Sequence, residues 1–194
     1  MATLERGFKA WAERTASALR RELGLSALEP LDPRRLAEHL DVRLIRPDQL
    51  AALPEEIAHQ LLEIDPWGWS ATTLVLPHTT IVIYNPKKSL GRQSSDIIHE
   101  LAHIILGHEP STVVLSEDGE ISTRTFDQKQ EDEANWLGWA LLLPREALLS
   151  TRRARMATAQ IAEKYCVTEQ LVNFRLRMTG VEAQMRKGRF AKGA

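Results

Sequence analysis

The stretch from Ile97 to Leu106 is apolar on almost every side of a helix, yet it carries His99, Glu100 and His103. A helix that is hydrophobic all round belongs in the middle of a domain. Imidazole and carboxylate groups in such surroundings are costly unless they are paired or bound to a metal. The segment therefore predicts a buried central helix, closed by Gly107, whose ionisable residues have a specific task. Positions i and i+4 share a helix face, so both imidazoles of His99-Glu100-Leu101-Ala102-His103 can reach one ion. Glu100 then lies beside the ion without binding it. The same five residues on an exposed surface would mean little; the apolar flanks, Ile97, Ile98, Ile104, Ile105 and Leu106, are what set this copy apart.

A catalytic zinc usually takes three protein ligands and leaves one position for water. It lowers the pKa of that water from 15.7 toward roughly 7. Glu100 would accept the water's proton during attack on a peptide carbonyl and pass it to the leaving amine. A third ligand is needed. The histidine-extended pattern HExxHxxGxxH requires glycine at position 106 and histidine at position 109, where this chain has Leu106 and Glu109. The ligand is therefore expected from a carboxylate on a second helix: Glu131, Asp132 or Glu133 in QEDEANWLGWALLLP. Helical phase favours Glu131, because the stripe Ala134, Gly138 (or Leu137), Leu141 extends back onto it. Glu133 lies about 100° off that stripe and is expected to face water, as the reserve candidate. Gly138 would let the two helices approach closely. Asn135, one turn after Glu131, is a candidate acceptor for the outer ring nitrogen of a ligand histidine, and an exposed asparagine is the equal alternative. His108, Tyr84 and Arg92 are near the motif and able to stabilise an oxyanion. Each is also explained by packing, and none is assigned.

HELAHIILGH followed by EDEANWLGWALLLP resembles the ImmA/IrrE family of zinc metallo-endopeptidases. In that family HExxH precedes an E-x-x-A-(N/D) helix that ends in an apolar run and proline. Glu131-Asp132-Glu133-Ala134-Asn135 matches it, and the family's third ligand falls on Glu131. Trp69-Ser70-Ala71, Asn85-Pro86 and Arg92-Gln93-Ser94-Ser95-Asp96 are similar too, so the likeness covers residues 65–145 well and the flanks more loosely. The chain departs at Trp136 and Trp139, where the family more often has a Phe-Ala pair; this leaves the ligands intact and bears on the shape of the neighbouring pocket. Many members carry an N-terminal DNA-binding helix-turn-helix, which is not seen here. The resemblance implies regulatory, site-specific proteolysis of a helix-turn-helix repressor, often one encoded alongside, in mobile-element or stress-response control.

The expected fold class is α+β and zincin-like. A small antiparallel sheet packs on the HExxH helix and a second, ligand-bearing helix, with C-terminal helices beyond. Residues 1–150 are expected to form the metallopeptidase domain and residues 151–194 a helical, helix-turn-helix-like segment. An amphipathic helix is predicted over Thr3–Leu23, its inner stripe Leu4, Phe8, Trp11, Thr15, Leu19 and Leu23. Asp32-Pro33 opens a short helix that carries Leu36 and Leu40 inward. Val42–Ile45 reads as a strand, and Pro47–Ile57 as short helical turns. Thr72–Leu76 and Thr80–Tyr84 read as a hairpin across Pro77-His78-Thr79. Helices are expected at Arg92–Leu106, Gln128–Leu142, Arg145–Met156, Thr158–Tyr165 and Thr168–Met178, with a short strand at Val113–Leu115 and a turn at Glu117-Asp118-Gly119.

Charge is unevenly spread. Residues 1–150 hold 15 basic and 23 acidic side chains, a net of −8, whereas residues 151–194 hold 10 and 3, a net of +7. Such a basic tail suits a solvated helical face or an acidic partner. Thr158–Val172 has a helix-turn-helix look, with a turn near Cys166-Val167 and Thr168 as N-cap. Arg175 and Arg177 would offer phosphate contacts, but Glu169 at the reading position would repel phosphate. DNA binding is therefore the less favoured reading beside packing or recognition of a protein substrate. The single cysteine, Cys166, excludes an internal disulfide and a cysteine-based zinc knuckle. Glu5, Glu13 and Arg14 interrupt any secretory signal, and no run approaches the length of a membrane span, so a cytoplasmic protein is expected. Two functions compete: a zinc endopeptidase with a protein substrate, and a DNA-binding or scaffold regulator whose zinc site is structural or silent.

Overall fold

A computed structural model of the chain describes residues 4–50, 53–108, 114–115, 121–122 and 127–190, with side chains for all of these except 114–115, 121–122 and 186–190. The architecture is helix-rich α+β. Helix α1 (Phe8–Glu22) starts after Gly7, whose φ of 94° is left-handed, and so begins later than the periodicity predicts. Its inner face is also rotated. Ala12, Ala16 and Arg20 form the buried line, while Leu4, Phe8, Leu19 and Leu23 flank it and Trp11 is 37% exposed. Two alanines let the helix sit close to its neighbour, and the larger apolar side chains close the sides. Helix α2 (Pro33–His39) is capped as expected, the Asp32 carboxylate accepting the Arg34 N–H at 2.9 Å.

Strand β1 (Val42–Ile45), the edge of the sheet, is followed by a 3-10 turn at Pro47–Gln49, helix α3 (Glu55–His59) and a π-helical turn at Gln60–Ile64. Strands β2 (Ala71–Leu76) and β3 (Thr79–Tyr84) form the expected hairpin. The sheet is mixed, which corrects the antiparallel expectation. Its order is β1-β3-β2, and β1 pairs with β3 in parallel, Val42 opposite Thr80 and Ile45 opposite Ile83. The reason is the path of the chain. It leaves β1, crosses through α3 and descends β2, and the hairpin then returns it along β3 beside β1. Central β3 is buried on both faces: Val82 joins the main core, and Ile81 and Ile83 pack with Ile45 and Trp69. Edge strand β2 keeps Leu74, Val75 and Leu76 exposed.

Helix α4 (Leu90–Leu106) carries the HExxH segment and ends at Gly107 with φ 64°. Two-residue strands β4 (Val114–Leu115) and β5 (Ile121–Ser122) pair antiparallel; Val113 and the expected turn at Glu117-Asp118-Gly119 lie outside the described residues. Helix α5 (Gln128–Leu142) has the predicted bounds, with Asp127 as N-cap. Then follow α6 (Arg145–Arg153), α7 (Thr158–Tyr165), α8 (Glu169–Met178) and α9 (Val181–Phe190), the last not anticipated. Ile161, Tyr165, Val172 and Leu176 from these helices share one core with Ile97, Leu101, Leu137 and Leu141. A β-carbon added at Gly91 would lie 3.0 Å from the Val167 backbone, so the start of α4 sits directly against the turn between α7 and α8.

Two buried arginines hold this core. The C-terminal carbonyls of a helix lack intrahelical donors, and Pro144 cannot extend α5. Arg20 Nε and Nη2 donate to Leu141 O at 3.1 and 2.8 Å, and Nη2 also reaches Leu142 O at 3.3 Å. Arg175 Nε donates to Leu143 O at 3.1 Å, and its Nη2 pairs with Glu13. Arg175, a phosphate contact only in the less favoured DNA-binding reading, is fully buried.

Candidate metal centre

Helices α4 and α5 cross where α5 has no side chain. A β-carbon at Gly138 would lie 3.2 Å from Ile98 Cγ2 and 3.3 Å from the Ile98 carbonyl oxygen. Close approach there brings the first turn of α5 to the face of α4 that bears the histidines. His99 Nε2 and His103 Nε2 are 3.1 Å apart. Glu131 reaches His99 Nε2 with one carboxylate oxygen at 3.2 Å and His103 Nε2 with the other at 3.6 Å. Two imidazoles and a carboxylate with bonds of about 2.0–2.1 Å to a tetrahedral zinc would hold their ligand atoms about 3.3 Å apart. The observed spacings match that edge. One ligand atom from each of the three residues lies within 4.8 Å of the others, so the trio can hold a metal ion. The donor chemistry, two nitrogens and one charged oxygen, suits zinc.

Glu100 follows His99 on the same helix. Its Oε2 accepts the Thr73 hydroxyl of β2 at 2.6 Å, which ties the carboxylate to the edge strand. The outer ring nitrogens have different partners. Among the described residues, His99 Nδ1 is buried without a hydrogen-bond partner, as is Oδ2 of Asp96, one helical turn earlier. Asp96 is held by Arg92 Nε at 2.9 Å and faces Lys88 Nζ at 3.7 Å. Burial pushes its carboxyl above the usual range, and Arg92 and Lys88 pull the other way. His103 Nδ1 faces His108 Nδ1 at 3.0 Å.

Glu133 does not face water, a correction to the phase argument. Its side chain is 14% exposed and meets His108 Nε2 at 3.3 Å. Phase placed it correctly away from Glu131 but could not foresee a residue beyond the end of α4 folding back to meet it. Asp132 is buried and accepts from Gln128 at 3.1 Å. His108 is an outer partner of His103, the role for which the sequence offered Asn135. His108 is thereby engaged at both nitrogens. Arg92 is paired with Asp96, and Tyr84 lies beneath the Arg34 guanidinium at 5.6 Å. The tryptophans at the chain's point of departure pack elsewhere: Trp136 and Trp139 both meet Phe174 of α8, with centroids 6.4 and 4.5 Å apart. The sequence signal for His108 was present, in a Gly-His step at a helix end, but its contact depends on the turn that Gly107 makes.

The crossing of the HExxH helix by a carboxylate-bearing helix thus gathers three residues that could hold a metal ion. The chain belongs to the peptidase M78 family, whose sequence model, described as the IrrE N-terminal-like domain, matches residues 37–177. No curated protein sequence matches it. Among solved structures, a Mycobacterium tuberculosis transcriptional regulator has a similar fold, with a TM-score of 0.54 at 20% identity. The match covers 89% of this chain and 47% of that one, so this chain spans about half the regulator's length. Among the described residues no helix is long and apolar enough to cross a membrane.

Proposed function

We propose that the chain is a zinc-dependent endopeptidase with His99, His103 and Glu131 as ligands and Glu100 as general base. The observation that carries this is the meeting of three ligand atoms within 4.8 Å beside a glutamate that is tied to an edge strand. Bound zinc would supply positive charge that polarises a peptide carbonyl and acidifies water. Glu100 takes the proton of the attacking water and returns it to the leaving amine. The Thr73 hydroxyl holds one carboxylate oxygen, and the other is the one we assign to that transfer. Among the described residues β2 has a strand partner on one side only. A substrate segment pairing along its free edge would run past Glu100, with main-chain hydrogen bonds giving affinity and exposed Leu74, Val75 and Leu76 lining the approach.

The substrate we propose is a helix-turn-helix repressor, cleaved at a defined site in regulatory proteolysis, as the family resemblance implies. The test is incubation of the zinc-loaded chain with the helix-turn-helix regulator encoded next to it. The wild type should cut at one position, and Glu100→Gln should keep its metal and cut nothing. Loss of metal in Glu100→Gln would refute the role given to that residue.

A DNA-binding or scaffold role has one observation in its favour: α7 and α8 are joined by a three-residue turn, with Thr168 Oγ1 accepting the Leu171 N–H at 3.2 Å. The mycobacterial chain of similar fold is a transcriptional regulator, a property of that chain alone. Against it, Arg175 is committed to the core, and the exposed face of α8 presents Glu169, Gln170, Asn173 and Arg177. A low-salt shift assay should give weak, sequence-indifferent retention; tight binding to one operator sequence would favour the regulator reading.

A further inference from the structure

The end of α4 is a Schellman turn. Gly107, at φ 64°, reverses the chain, its N–H reaching Ile104 O at 3.1 Å and the His108 N–H reaching His103 O at 3.0 Å. The outer pair of such a turn is ordinarily an apolar contact. Here it consists of two imidazoles, His103 and His108, with centroids 5.0 Å apart and rings inclined at 68°. The backbone turn therefore presses His108 against the back of His103. The facing atoms are the two Nδ1 nitrogens at 3.0 Å, so one must donate and the other accept. The far nitrogen of His108 lies 3.3 Å from Glu133, whose other oxygen faces Lys129 at 3.9 Å. The side chains of His108 and Glu133 are 8% and 14% exposed, which shields the chain of contacts from water.

We propose that His108 and Glu133 form a buried tether that positions His103 as a metal ligand. A carboxylate is an acceptor, so Glu133 draws the proton of His108 onto Nε2 and leaves Nδ1 as a lone pair. That lone pair accepts the Nδ1–H of His103. His103 is thereby fixed in the tautomer whose Nε2 lone pair points toward His99 and Glu131. The tether also sets the ring's rotation, since His103 is held both by its own backbone carbonyl and by its outer nitrogen. Ligand histidines usually have such an outer partner, and its loss costs roughly 10–100-fold in metal affinity. The inference rests on the metal site proposed above and adds the two residues that aim it. The pair of glutamates on α5 divides the work: Glu131 would hold the ion, and Glu133, two residues on, steadies the ligand from behind.

The test is zinc affinity of the full chain, by competition with a chromophoric chelator, with the cobalt(II) absorption spectrum as a second readout. His108→Ala should weaken zinc about 10–100-fold. His108→Asn should restore most of that loss, because its amide oxygen falls where Nδ1 stood and can still accept from His103. A residue that merely filled space would not be rescued in this way. Glu133→Ala should weaken zinc and shift the cobalt bands, and Glu133→Gln, which keeps an acceptor for His108, should do so less. If His108→Ala does not fold, the two Glu133 variants carry the test. Zinc affinity and cobalt bands unchanged in the folded variants would overturn the tether. A wild-type chain that takes up no zinc would overturn the underlying site, and the tether with it.

Discussion

The meeting of His99, His103 and Glu131 was legible because it follows from helical geometry: an i, i+4 pair on one helix and a phase argument on the next. Their partners were not. Thr73 meets Glu100 only because β2 is the edge strand beside α4, and a threonine in a β-branched run reads as ordinary strand composition. Thr73→Val keeps the shape and removes the hydroxyl. It should leave zinc content unchanged and lower kcat by about tenfold, since a mispositioned general base forfeits part of a contribution worth roughly 10²–10⁴-fold. An unchanged kcat would mean that Glu100 is aimed by something else.

The α4–α5 crossing was partly visible in Gly138, whose value lies in what it lacks. Gly138→Val would force two methyl groups toward Ile98 Cγ2 and the Ile98 carbonyl. Overpacking of this kind costs about 1–3 kcal/mol. Because the same crossing sets the distance from Glu131 to the histidines, the variant should lose zinc affinity as well as stability. A variant that melts lower yet binds zinc normally would show that α5 can tilt without moving its first turn. The parallel pairing of β1 with β3 could not be read at this scale. Register between strands separated by a crossover is set by the core that closes around them and leaves no local pattern. The opening helix failed for a related reason: its largest apolar residues lie beside the buried line, while two alanines and an arginine lie on it.

Across the whole molecule, the end of α5 is the junction. Its last carbonyls are satisfied by Arg20 from the N-terminal helix and Arg175 from α8, so segments far apart in sequence are joined through the helix that carries Glu131. Arginine in a local pattern reads as surface, which is why neither was anticipated inside. Arg20→Met would fill the space and leave the Leu141 and Leu142 carbonyls buried without donors. At about 1–3 kcal/mol for each orphaned acceptor, stability should fall by about 2–6 kcal/mol, roughly 4–24 °C in Tm. A change under a degree would indicate that water replaces the guanidinium. The central claim concerns one ion and its three ligands, and metal content after dialysis addresses it most directly. Elemental analysis of the wild type and Glu100→Gln should give about one zinc per chain, and Glu131→Ala, left with two neutral imidazoles, close to none. Zinc retained in full by Glu131→Ala, or absent from the wild type, would contradict the account.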